Sequence, residues 1–410
     1  MAATSKPPDV VERLAILAEL GKHESGINRA LATPAERAAR EYFVAWAQQA
    51  GLDVSQDRVG NLFARRTGSV QAKPILVGSH LDTVPTGGAY DGAYGVAGAL
   101  CALALLDQHN VPTNHDIVAV AWVGEEGSRF PLGCLGSSTF CGLTTETHAL
   151  ALADENGVTL QKALTSPEGG LVPDLHLRVG RAVAAYLELH VEQGPVLEDA
   201  GVPLGIVTAI AAQRRYRVTV EGRSGHAGTV PMDRRADALP AASELILAIE
   251  SAAKQARDCV ATVGKLNVEP GGTNVIPARV VFSLDVRSSE ESRVELLELG
   301  LQTAVGDVTA RRGVAIAVEC LESRPAAPMA PHLREAVRRA CAGLGQRAID
   351  IASGAGHDAM CLARIAPSAM IFVPSIGGLS HVGEERTSAA DLQLGVEALA
   401  AAIIEVDRSL

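Results

Sequence analysis

The chain has 410 residues, well past the roughly 250–300 at which a single hydrophobic core stops growing, so two domains are expected. Apolar residues make up 47 % and charged residues 20 %, the balance of a folded protein with ample material for a core. The net charge of −11, with no block of Lys or Arg, excludes nucleic acid and anionic membrane as expected partners.

The opening MAATSKPPDV lacks the charged-then-apolar order of a signal peptide. The longest fully apolar run, residues 96–106 with Gly98 inside, is about half of the ~20 residues that span a bilayer. A cytoplasmic protein is therefore expected. Residues 10–49 carry two amphipathic helical stretches, the second opening at Thr33-Pro34 and stopping before Gly51. Short strand-like pieces follow around Gly60-Asn61.

Residues 74–77, PILV, read as a buried strand that delivers His80 and Asp82 to its end. The C-terminal ends of such strands are where open α/β sheets keep their ligands. Gly87, Gly88 and Gly92 let the backbone turn sharply, so that Asp91 can fold back towards His80 before a helix begins near Ala93. Imidazole and carboxylate at that spacing suit a divalent metal. Alone, the pair also fits a strand-end histidine satisfied by hydrogen bonds and an aspartate capping the next helix.

Residues 116–123, DIVAVAWV, form a second all-apolar strand, followed by Gly124 and the adjacent carboxylates Glu125 and Glu126. A third, residues 184–191, places His190 near its end ahead of Glu192-Gln193-Gly194-Pro195. Strand, helix and strand with polar residues after each strand predict an α/β sheet covered on both faces.

The texture changes near residue 212. Strands at 215–221, 260–268, 278–287 and 314–320 and helices at 233–254 and 290–310 give the order βαββαβ, the ferredoxin-like plan. After Pro325 the α/β texture returns, with a helix at 333–344, a strand at 370–373 and a last helix at 389–406. The expected plan is an α/β catalytic domain over 1–211 and 326–410, interrupted by an inserted domain over 212–325. The seven cysteines show no CxxC and no paired spacing, which predicts reduced, buried thiols.

His80, Asp91, Glu126, His190 and His381 all follow predicted strands of the interrupted domain, in loops expected to open on one edge of its sheet. Five N/O donors suffice for two metal ions sharing one bridging carboxylate. Glu125, beside the donor Glu126, is placed to take a proton from water and pass it to a leaving nitrogen. Asp82, two residues after His80, is expected to hydrogen-bond the far nitrogen of that imidazole and fix its tautomer, with a turn-forming aspartate as the alternative.

HLDT, DG, EEGSRF, ELHVEQGP, GHAGTVPM, NVIP and GAGHDAM occur in this order across essentially the whole chain. In them the sequence resembles the M20 family of metallo-aminoacylases and peptidases, and within it the carbamoylase branch: N-carbamoyl-L-amino-acid hydrolase, β-ureidopropionase and allantoate amidohydrolase. His190 supports the branch, since peptidases of the family usually have a carboxylate there.

The resemblance implies that Asp91 bridges two divalent metals, Zn or Mn with Ni or Co as alternatives. One would be completed by His80 and His190 and the other by Glu126 and His381, with Glu125 as general acid/base. His226, in a Gly-flanked loop, is placed to donate to a developing oxyanion, and Arg287, at a strand end, to clamp a substrate carboxylate, with a solvated surface residue as the other reading of each. The resemblance places Asn274 and Gln193 beside that carboxylate and the ureido group. Gly356 and His357 resemble a further substrate loop, with a structural role for His357 also open. The inserted domain would form a homodimer and act as a lid. The expected activity is hydrolysis of an N-carbamoyl acid or allantoate; a dipeptidase or deacylase and a catalytically inactive binding protein are the alternatives.

Overall fold

The structure is a computed structural model and describes residues 9–177, 181–256 and 258–410. The chain folds as two compact units. The first comprises residues up to Thr208 together with Pro328–Ile351 and Ala355–Leu410; the second comprises Ala209–Ala327 and takes in Ala352–Gly354 as well.

The first unit is built on a large mixed sheet. Its middle follows directly from the apolar runs of the sequence. Ser368–Val373, Ala185–Val191, Ile75–His80 and Ile117–Trp122 lie side by side and parallel. Every residue of these four strands is buried, as parallel strands covered on both faces require. Leu62–Arg66 and Asp53–Gln56 extend the sheet antiparallel beyond Ile117–Trp122. Leu204–Ile210, which the sequence did not mark as a strand, pairs antiparallel with Ser368–Val373 on the other side.

The helix Ala93–Gln108 is buried along most of its length. It shares one apolar core with residues of Val10–Glu19, Pro331–Gly343 and Ala389–Ser409. A separate cluster around Leu31, Val123, Phe130, Leu135 and Leu160 packs under the loop that follows Ile117–Trp122.

In the second unit, Ala212–Glu221 pairs antiparallel with both Arg279–Ser288 and Ala315–Arg324. Cys259–Thr262 and Leu266–Glu269 pair in turn along Arg279–Ser288. The helices Ala238–Gln255 and Glu291–Arg312 contribute to the same core as one face of that sheet. The first helix starts at Ala238 rather than 233, because the Asp237 side chain accepts from the Leu239 N–H and caps it there, while Met232–Arg234 form a separate 3-10 turn. No described helix is long and apolar enough to cross a membrane.

Candidate metal centre

The parallel strands of the first unit end in the polar residues of the site. His80 closes Ile75–His80 and His190 is the penultimate residue of Ala185–Val191. Glu125 and Glu126 follow Ile117–Trp122 by a short turn. Asp91 does not cap the helix behind it. Gly92 is the N-cap, with no side-chain capping bond, which leaves the Asp91 carboxylate free to face the histidines. Gly92 has φ +63°, and a Cβ there would meet His80 Nε2 at 2.5 Å. Only glycine lets the chain turn over the imidazole at this point.

The two oxygens of Asp91 point to different partners. Oδ1 lies 3.2 Å from His190 Nε2 and 3.6 Å from His80 Nε2, while Oδ2 lies 3.3 Å from His381 Nε2. His381 Nε2 is also 3.7 Å from Glu126 Oε2. Two donor groups result, His80–Asp91–His190 and Asp91–Glu126–His381, each compact enough to hold one ion. The first is buried. His381, at 53 % side-chain exposure, lies at the open side of the second.

Hydrogen bonds fix how these imidazoles face. Nδ1 of His80 lies 3.0 Å from the Asp82 carbonyl and Nδ1 of His190 lies 2.8 Å from the Val191 carbonyl, and a carbonyl only accepts. Each Nδ1 therefore carries a proton, and each Nε2 faces the acceptor-only Asp91 carboxylate, with Nε2 of His190 also 3.2 Å from the Gly92 N–H. A cation between them resolves that arrangement. Glu126 supplies a second sign, since its Oε1 is buried with no hydrogen-bond partner among the described residues. Burial, with Asp91 and Glu125 alongside, pushes the Glu126 carboxyl up to about 9. Burial works to raise Asp91 too, yet the bonds from His190, His381 and His80 outweigh it and hold this carboxyl well below its usual range. The donor set thus fits a divalent metal.

Asp82 departs from expectation. Its main-chain oxygen, not its carboxylate, takes the His80 Nδ1 proton; the carboxylate oxygen is 3.7 Å from Nδ1. The carboxylate instead accepts the main-chain N–H groups of Glu125 and Glu126, each at 3.2 Å. The tight turn after the strand brings the carbonyl of residue 82 closer to the ring than its own side chain. Glu125 is further held by Cys134, whose Sγ donates to Oε1 at 3.2 Å and whose N–H donates to the Glu125 carbonyl. Oε2 of Glu125 remains 3.8 Å from His80 Nε2, next to the first donor group.

Gln193 has left-handed backbone, φ +60°, and its Nε2 donates to Asp91 Oδ2 at 2.8 Å and to Ser380 Oγ at 3.1 Å. His357 is buried edge-on against His190, with ring centroids 4.5 Å apart, and burial and the neighbouring His190 keep it well below the usual imidazole range. Gly356, one residue before it, is exposed. Beneath His190, Glu188 accepts from Ser79 Oγ, the Ala359 N–H and the Tyr186 hydroxyl. Glu188, Cys134, Ser380 and Glu385 were not singled out from the sequence. An acid at a buried position of the strand Ala185–Val191 was the one signal on offer.

In the second unit, His226 and Asn274 are neighbours. Gly225–His226 pairs with Val275–Ile276, and the Ala227 N–H donates to the Asn274 carbonyl. Both side chains are exposed, and His226 Nδ1 accepts from the Gly228 N–H. The fork of Arg287 is already engaged: Nε and Nη2 donate to the two oxygens of Asp285, two residues back on the same face of the strand, and Nη1 to the Gly354 carbonyl.

Carboxylates and imidazoles gathered at the ends of parallel strands, with a spare glutamate beside them, define a metal-centre hydrolase of the α/β class. Residues 76–405 match the family model of peptidase family M20/M25/M40, and the chain belongs to that family. It is 40 % identical over 388 residues to an N-carbamoyl-L-amino-acid amidohydrolase of Paenarthrobacter aurescens, covering 93 % of this chain and 94 % of the relative. It is also 40 % identical over 353 residues to an allantoate amidohydrolase of Bacillus subtilis, covering 85 % of each. The crystal structure of an amidase of the hydantoinase/carbamoylase family from Burkholderia multivorans superposes with a TM-score of 0.91 at 36 % identity, over 98 % of both chains.

Proposed function

We propose that the protein is a two-metal amidohydrolase that cleaves the C–N bond of an N-carbamoyl group on a small carboxylic acid, an N-carbamoyl-L-amino acid or allantoate. The products are the freed amine, ammonia and CO2. The observation that carries this reading is the division of Asp91, one oxygen towards His80 and His190 and the other towards His381, with Glu125 alongside. Amidohydrolases of both ureido substrates stand at the same 40 % identity, which supports the class and leaves both members within it.

His80, Asp91 and His190 would hold one ion and Asp91, Glu126 and His381 the other, Zn²⁺ or Mn²⁺ with Ni²⁺ or Co²⁺ as alternatives. When bound, such ions polarise the ureido carbonyl as Lewis acids and make water a stronger acid. Glu125 takes the proton of the attacking water and delivers it to the nitrogen that leaves as the C–N bond breaks. The carbamate released decomposes to CO2 and ammonia. His226 donates to the oxyanion as it develops, while Arg287, Asn274 and Gln193 hold the carboxylate and ureido ends of the substrate and Gly356 and His357 complete its loop. Substrate binding then requires Asp285 to share or release the Arg287 fork.

The inserted unit, over 212–325, serves as lid and dimer contact, and the enzyme works as a cytoplasmic homodimer. Ala315–Arg324 supports the dimer: it is an edge strand ten residues long, with Val318 and Leu321 exposed on it. A dipeptidase or deacylase would use the same donors, but an imidazole at 190 and the named activities of the relatives favour the ureido group. A non-catalytic binding protein would have no use for Glu125 beside five intact donors.

The test is ammonia release from a panel of N-carbamoyl-L-amino acids, N-carbamoyl-β-alanine, allantoate and a dipeptide, with Mn²⁺, Zn²⁺ or Ni²⁺ added. Turnover of the ureido acids with no dipeptide cleavage is expected. Dipeptide cleavage alone would overturn the assignment.

A further inference from the structure

Glu384 and Glu385 are adjacent in the sequence and opposite in setting: Glu384 is exposed, and Glu385 is only 4 % exposed. The Glu385 carboxylate has a defined place. Its Oε1 accepts the main-chain N–H of Tyr90 at 2.8 Å and of Asp91 at 3.0 Å, from nearly 300 positions away in the sequence. Its Oε2 lies 3.1 Å from Ser380 Oγ, and the same hydroxyl lies 3.3 Å from Asp91 Oδ2. One side chain therefore ties the loop that carries Asp91 to the loop that carries His381.

A second observation, independent of those bonds, shows that room is kept for it. A Cβ added to Gly88 would lie 2.6 Å from Glu385 Oε1 and closer still to Glu385 Cβ. Cβ is fixed by the backbone and cannot swing aside as a side-chain tip can. His381, in contrast, has left-handed backbone at φ +59° and a half-exposed ring. The residue before it, Ser380, is held by this clamp and by Gln193 Nε2, which bonds both Ser380 Oγ and Asp91 Oδ2.

We infer that Glu385 is a positioning residue for the metal centre, setting affinity at the Asp91–Glu126–His381 group by holding Asp91 and His381 in register through hydrogen bonds. The inference rests on the two-metal reading. The hydrogen bonds, not the charge, do the holding: a glutamine can still accept the Tyr90 and Asp91 N–H groups through its oxygen and donate to Ser380 Oγ through its nitrogen.

The experiment is competition for Zn²⁺ between the purified full chain and a chromogenic chelator, read as metals bound per chain and the affinity of each, without any activity measurement. Outer partners of metal ligands typically set affinity by about 10–100-fold. Glu385→Ala is expected to weaken one of two Zn²⁺ by that factor and leave the other within about threefold. Gly88→Ala, which displaces Glu385 without changing its chemistry, is expected to do the same, and it serves as the readout if Glu385→Ala does not fold. Glu385→Gln and Glu384→Ala should stay within about threefold of wild type at both ions. Wild-type affinity at both ions in Glu385→Ala, or in Gly88→Ala where it stands in, overturns the inference, as does a glutamine variant as weak as the alanine one. A wild-type chain that binds no Zn²⁺ would instead strike at the two-metal reading itself.

Discussion

Asp82 gives the sharpest prediction, because its side chain and its main chain serve different residues. The buried carboxylate accepts two main-chain N–H groups, those of Glu125 and Glu126. A hydrogen bond to a charged group contributes about 1.5–3 kcal/mol, so Asp82→Ala should destabilise the first unit by about 3–6 kcal/mol. Asp82→Asn retains one acceptor and should lose about half of that. At about 2.1 cal/mol/K of unfolding entropy per residue, the melting temperature of a unit of this size moves by somewhat under about 2 °C per kcal/mol, so the alanine variant should melt at least about 5 °C lower. His80 is held by the main-chain oxygen of residue 82, which neither substitution removes. The His80–Asp91–His190 group should therefore still bind an ion, while the group containing Glu126 should lose its own. Thermal melting of metal-free protein and elemental analysis after reloading read both effects. Loss of both ions, or an unchanged melting temperature in Asp82→Ala, would refute the reasoning.

Glu125→Gln should retain metal, since the amide oxygen can still accept from Cys134, but kcat should fall by about 10²–10⁴, the usual contribution of a general base; Glu126→Ala should lose metal instead, as elemental analysis would show. Arg287→Lys should raise KM for the ureido acid although the charge is kept, because an ammonium cannot replace the planar fork; equal KM values would remove Arg287 from substrate binding. If His226 serves the partner's site in a dimer, a heterodimer of His226→Ala and Glu125→Gln chains has one site with both lesions and one with neither. It should recover up to about half of wild-type activity, whereas a purified heterodimer no better than its parents would reject the shared site.

Much of the fold could be read because the parallel strands are buried on both faces and so appear as unbroken apolar runs, as in ILV at 75–77 and IVAVAW at 117–122. Each run stops where the chain reaches the polar end of the sheet, which is why His80, Glu126 and His190 could be picked out together. Leu204–Ile210 escaped notice because it follows the Val196–Ala200 helix and Gly201 closely and carries a glycine of its own. The residues that hold the site in shape were mostly hidden. Glu385 meets Asp91 across nearly 300 positions, and Cys134, whose backbone is left-handed at φ +52°, meets Glu125 through the turn that lies between them. Periodicity and motif report what a residue's neighbours in sequence are. They say nothing of partners brought together by folding. Asp82 failed in the other direction: the residue was noticed, but which of its oxygens reached the imidazole depended on the exact turn.

The most direct measurement follows ammonia release from an N-carbamoyl-L-amino acid and from allantoate while metal-stripped protein is titrated with Zn²⁺ or Mn²⁺. A two-metal ureido-acid hydrolase should be inactive when stripped, and its activity should rise to a plateau at two equivalents of metal per chain. Full activity in protein shown by elemental analysis to be free of metal, or a plateau with no ammonia from either substrate, would contradict it.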